Sequence, residues 1–241
     1  MAAAFGWGAL GASALLVGAL AAYLLRPGRT VIAVVMALGT GLLIGSVSFE
    51  LVDEALKYGT VAWVALLVLV GAAVFAVGDW LLMRHGGGGR KDATGAQAEG
   101  SPLAIVLGSV LDGIPESFVL GLTVLQGGIS VALLAGVLPS NLPEGMSSSS
   151  GLRIAKWPAG RVMGLWLIVI VVSALSAAAG YALLDPHSGR TGALVQAFAA
   201  GALLAMLADT LLPEAYEVEG VLTGPLVVVG FAVSLALSAM N

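Results

Sequence analysis

The sequence predicts an all-α integral membrane protein of eight transmembrane helices, and three observations predict it. Of the 241 residues, 59% are hydrophobic and 10% charged, with a mean hydropathy of +1.03, whereas soluble domains carry about 25% charged residues. Apolar runs near the ~20 residues that cross a bilayer recur at about 4–25, 31–51, 60–83, 103–125, 129–150, 163–184, 192–212 and 222–240. Basic residues then alternate from loop to loop. Arg26 and Arg29 follow the first span, Arg84, Arg90 and Lys91 the third, and Arg153, Lys156 and Arg161 the fifth, leaving only Lys57 and Arg190 for the other side. The positive-inside rule makes the first group cytoplasmic and both termini external. The Gly- and Ala-rich composition is compatible with a bacterial inner membrane.

No Lys or Arg precedes the first span and no small-residue cleavage site with a hydrophilic domain follows it, so it is expected to remain as a helix rather than leave as a signal peptide. Small residues in spans one and three suit close helix packing. Asp79, in VFAVGDWLLMR, lies about one turn from Arg84, and a snorkelling ion pair between them is expected.

Span two carries an internal echo. ALGTGLLIGSVSFELVDEA, 37–55, lies without a gap over AFAAGALLAMLADTLLPEA, 197–215, in span seven. Five spans apart, the two copies would cross in opposite directions, which is an inverted repeat of the kind many secondary transporters use; coincidence in a chain rich in Ala, Gly and Leu is the competing explanation. Within the pair, Glu50 and Asp209 are candidate gate or relay carboxylates, or else interfacial acids wetted at the headgroups. Glu54 and Glu214 read as solvated helix ends. Residues 85–100, HGGGGRKDATGAQAEG, read as a flexible cytoplasmic linker inside one transporter domain spanning 1–241. His85 and His187 stand alone in loops, and Cys is absent, which excludes disulfides and thiolate metal sites.

Spans four and five repeat one motif. Asp112-Gly113-Ile114-Pro115-Glu116 matches Ser140-Asn141-Leu142-Pro143-Glu144, and on a helix the first and last residues of each unit share a face. Each inner proline lacks an N–H and frees the carbonyl four residues earlier, Leu111 and Pro139. Three carboxylates at this depth cost together about 8 to 10 kcal/mol on the lenient insertion scale, so a compensating partner is required. Face to face, the two helices would converge Asp112, Glu116, Asn141 and Glu144, and crowded carboxylates share protons or hold a cation. The bland alternative is two kinked helices with protonated, hydrogen-bonded carboxyls. Ser147 to Ser150 continue the fifth span as a hydroxyl lining or as small packing residues. Span six contributes Ser173 and Ser176, and span eight Ser234 and Ser238; Ser140 and Ser173 join Glu50 and Asp209 as candidate gate or relay residues.

The paired x-Pro-Glu helices, with three spans on either side and a variable linker after the third, resemble the ZIP family of divalent-metal transporters over nearly the whole chain. DGIPES, NLPEG and the AAGALL…LLPEA of span seven carry the likeness. The resemblance implies a three-two-three helix arrangement with inverted symmetry, transport of divalent metal, commonly zinc, and ligand roles for Glu116, Asn141 and Glu144. The chain departs from the family pattern at Asp112-Gly113, where His-Asn is usual, at Ser140, where His or Gln is frequent, and at Ser173, where some members carry Glu. Such a site holds oxygen donors alone, which suit manganese or magnesium better than zinc. Besides the metal ion and the bilayer, no prosthetic group and no nucleic acid is expected, and a homodimer is left open. Two rival functions are a metal-binding or sensing membrane protein without transport, and an intramembrane hydrolase using Asp112 with Asp209.

Overall fold

A computed structural model of the chain describes residues 1–84, 102–125, 127–128, 130–183 and 189–240, and among these there is helix but no strand. The helices are α1 (Ala2–Leu24), α2 (Arg29–Ser46), α3 (Asp53–Tyr58), α4 (Val61–Leu82), α5 (Pro102–Leu125), α6 (Val131–Ile154), α7 (Ala159–Ala182), α8 (Gly189–Met206), α9 (Leu212–Glu219) and α10 (Thr223–Ser238). His85 and the 85–100 linker, like His187, lie outside the described residues.

Six helical stretches among the described residues are long and apolar enough to cross a membrane. Three expected spans fare differently. The fifth falls in α6, whose Pro, Ser, Asn and Glu dilute its hydropathy, and the seventh and eighth merge into one helical stretch, Gly189–Ser238. The outer face of the bundle is apolar, with Trp63, Leu69, Val74 and Trp80 on α4 and Val228 and Val233 on α10 all exposed. A belt of this kind belongs against lipid. Burial separates wall from centre: the stretch through α2 and α3 and the stretch Leu107–Leu125 of α5 are each 61% buried, against 17% for α4. In α6 every residue from Asn141 to Leu152 except Leu142 is buried, which puts that helix at the middle.

Glycines set the helix spacing. A Cβ on Gly18 of α1 would lie 2.2 Å from the Leu142 carbonyl, and one on Gly145 of α6 would lie 2.1 Å from that of Leu15, so the two backbones touch. The aligned glycines of the internal echo act alike on different neighbours. A Cβ on Gly41 would sit 1.9 Å from Val227 O of α10, and one on Gly201 1.8 Å from Val68 O of α4.

The echo extends to backbone geometry. At aligned residues Val47 and Leu207 both stretches pass into a π-helical turn, Val47–Val52 and Leu207–Leu211, closed by Asp53 N–H donating to Ser48 O and Leu212 N–H donating to Leu207 O. Such a turn inserts one extra residue and shifts the phase of the helix beyond it. The two stretches run antiparallel: Arg29 lies 4.0 Å from Glu217, while Ala55 shares a buried cluster with Ala197.

Hydroxyls fasten the centre. Ser46 Oγ lies 2.7 Å from Ala132 O of α6 and 3.2 Å from Ser234 Oγ of α10, joining three helices at one atom. At the opposite end of α6, Tyr23 Oη donates to Trp157 O over 2.8 Å and Arg161 lies over the Trp157 ring. The chain turns after α1 and α6 therefore meet at one basic end of the bundle.

The anticipated Asp79–Arg84 ion pair is replaced by another arrangement. Arg84 stacks 3.9 Å over the Trp80 ring, four residues back on its own helix, while Asp79 points inward at 6% exposure. Asp79 and Arg84 are five residues apart and leave the helix in different directions, whereas the i, i+4 partner is directly below.

Because the Gly201 backbone touches Val68 O, Gly201→Leu is expected to destabilise the protein by at least about 1–3 kcal/mol. Gly164 of α7 faces open space, so Gly164→Ala is expected to be neutral or to stabilise by about 0.5–1 kcal/mol. Thermal unfolding of both variants in the same detergent checks the contrast.

Candidate cation path

The x-Pro-Glu unit of α5 contributes one polar stripe. Ser109, Asp112, Glu116 and Thr123 recur at helical spacing and all are buried, with Asp112 and Glu116 each at 2% exposure. The opposite side of α5 is used for packing: Gly121 abuts Ala177 O of α7, and Ser176 Oγ of α7 donates to Ile114 O over 3.0 Å. Pro115 stays within the continuous helix, as do Pro139 and Pro143 in α6.

On α6, Ser140, Asn141 and Glu144 are likewise buried, Glu144 at 3% exposure. Asn141 commits its amide nitrogen to Gly11 O of α1 over 3.2 Å. Ser140 turns its hydroxyl back to Val137 O over 3.0 Å, a local bond. The Pro139 carbonyl, freed by Pro143, is pressed against α2: a Cβ on Gly39 would lie 2.6 Å from it.

Leu120 of α5 and Val137 of α6 both press on Gly11, their side chains 3.1 and 3.4 Å from where its Cβ would be. The two helices join through residues 126–130 and run antiparallel, so equal steps away from that shared contact reach equal depths. Four residues away lie Glu116 and Asn141; seven or eight residues away lie Asp112 and Glu144. With a rise of 1.5 Å per residue the two levels stand roughly 6 Å apart. The acids are thus arranged as two successive rungs. In keeping with that, no three Asp, Glu or His side chains among the described residues form a group that could hold a metal ion.

The remaining candidates divide. Ser173 of α7 is buried and sits 3.0 Å from where a Cβ of Gly113 would be, so two of the positions that depart from the family motif are packed together. Glu50, in the first π turn, accepts from Ser130 Oγ and Ser238 Oγ, each over 3.0 Å, and so bolts α2 to the start of α6 and the end of α10. Asp209, in the second π turn, is exposed while Asp112 is buried.

Sequence reasoning missed two things. Glu214 is no simple solvated helix end: it accepts a hydrogen bond from Ser147 Oγ of α6. Its counterpart Glu54 is likewise partly exposed and lies 2.8 Å from Lys57 Nζ. Gln196, in the middle of α8, is 1% exposed, and a lone amide in an apolar run was its signal. Within the Ser147–Ser150 tract, Ser149 Oγ accepts from Trp166 Nε1 over 2.8 Å as a packing contact. No known family model matches this chain, and no curated protein matches it.

Glu50→Ala deletes the acceptor of two hydroxyls and is expected to lower stability by about 1–3 kcal/mol, with Glu50→Gln costing less. Chemical or thermal unfolding of the two variants in detergent tests the order.

Proposed function

We propose that this protein is a secondary permease for divalent metal cations. The observation that carries the reading is the burial of Asp112, Glu116 and Glu144 on two proline-containing helices that follow one another in the chain of a membrane bundle. Carboxylates are costly there unless a cation or proton compensates them. Two rungs supply that compensation in steps, each replacing part of the hydration shell, so that no single level binds the ion too tightly to release it.

In this reading the chain forms eight spans, α2 with α3 and α8 with α9 each counting as one, in a three-two-three arrangement related by an inverted repeat. The matched π turns, the equivalent glycine contacts and the antiparallel course of the echoed stretches support it. The end carrying Arg26, Arg29, Arg153, Lys156 and Arg161 is cytoplasmic, both termini are external, and a bacterial inner membrane is the host. Alternating access would come from one bundle rocking against the other, with the phase-shifted ends of α3 and α9 moving most.

Donor chemistry points to harder ions. The rungs carry carboxylate and amide oxygen with no imidazole or thiolate, and Gly113 beside Ser173 keeps further charge away, so manganese is the favoured cargo and zinc, the metal implied by the resemblance, the weaker one.

Uptake of Mn2+ into proteoliposomes, followed by quenching of an entrapped fluorophore, is expected to be lost in Glu144→Ala while the variant remains monodisperse and helical. Undiminished uptake overturns the proposal, and binding without uptake by the parent protein identifies a sensor instead. Asp112→His combined with Ser140→His adds imidazole to the path and is expected to move competition toward zinc by about tenfold; an unchanged preference removes the donor argument.

A further inference from the structure

We infer that Glu214, together with Ser147 and Ser148, forms a second cation station between the buried rungs and the basic end of the bundle. The inference rests on the transport reading above and extends it along the path.

Ser147 and Ser148 follow Glu144 by three and four residues, so both lie on its side of α6 one turn further on. Both are fully buried. Ser147 donates to the Glu214 carboxylate, which α9 brings back against α6. A cation leaving Glu144 therefore meets the next carboxylate within about one helical turn, roughly 5 Å. Ser148 Oγ is a buried hydroxyl with no hydrogen-bond partner among the described residues, and a buried polar atom in that condition calls for a ligand or water.

Glu54, partly exposed like Glu214, lies 2.8 Å from Lys57 Nζ, and Glu217 faces Arg29 at 4.0 Å. Glu214 accepts from a buried hydroxyl and is itself partly exposed, so it has access both to the interior and to water. A carboxylate with two hydroxyls is a hard, weakly charged site, suited to a partly hydrated divalent cation that must be passed on.

The absence of cysteine makes a direct test available. Ser147→Cys introduces a single thiol. Its modification by a membrane-impermeant thiosulfonate is expected to proceed, and to slow at least about fivefold in saturating Mn2+, as occupancy of a shared site requires. A thiol that never reacts, or one whose rate Mn2+ leaves unchanged, overturns the inference. In proteoliposomes Glu214→Gln is expected to lower Mn2+ uptake about tenfold, and uptake within twofold of the parent overturns the station. Glu144→Gln separates the two proposals. Should it transport normally, the permease reading itself falls; should it be inactive while Glu214→Gln is normal, only the second station falls. If Glu214→Gln does not yield monodisperse protein, the thiol experiment decides.

Discussion

Desolvation of negative charge is the constraint from which the rest of this structure follows. A carboxylate held away from water in a hydrocarbon slab is tolerated only where protein surrounds it and something positive or protic answers it. That demand explains why α6, the least apolar of the long helices, is the one most completely enclosed, and why its neighbours approach it so closely. Leu15, Gly18 and Gly39 lie against its backbone.

Close approach is obtained with glycine, and rotation with π turns. Gly41 and Gly201 occupy matched positions in stretches that run in opposite directions, and each admits the backbone of a different outer helix. A few residues later each stretch gains its extra backbone residue. The outer helices α10 and α4 are thereby attached to their partners in equivalent ways, as a molecule built from two oppositely oriented halves would require. The hydroxyl junction at Ser46 has no equally clear partner, because its contacts join α2 to α6 and α10 together.

Much of the architecture was legible because hydropathy and spacing are local properties. Runs of apolar residues gave the helices, and four-residue separations gave the faces of Asp112 with Glu116. The gapless 37–55 and 197–215 echo drew attention to two stretches that share a backbone irregularity. What escaped were properties of side-chain direction between helices. Nothing in the order of residues says that Asn141 bonds to Gly11, that Pro139 turns its carbonyl toward Gly39, or that Glu214 meets Ser147 while Glu54 meets Lys57. The levels of Asp112, Glu116, Asn141 and Glu144 along the pair are likewise set by the turn between the helices: two antiparallel helices put residues of matching motifs at different levels unless the motifs are equidistant from it. Arg84 had two candidate neighbours in sequence, and the aromatic ring one helical turn below won over the acid.

The π turn in each long rod has a consequence for how the molecule tolerates change in chain length. One surplus residue is already accommodated at Val47–Val52 and again at Leu207–Leu211. Excising a single amino acid there would restore an ordinary helix and swing the terminal segment, with Glu54 or Glu214, by about 100° around its axis. The rods therefore carry in their backbone count, rather than in any side chain, the setting that decides which way their acidic tips face.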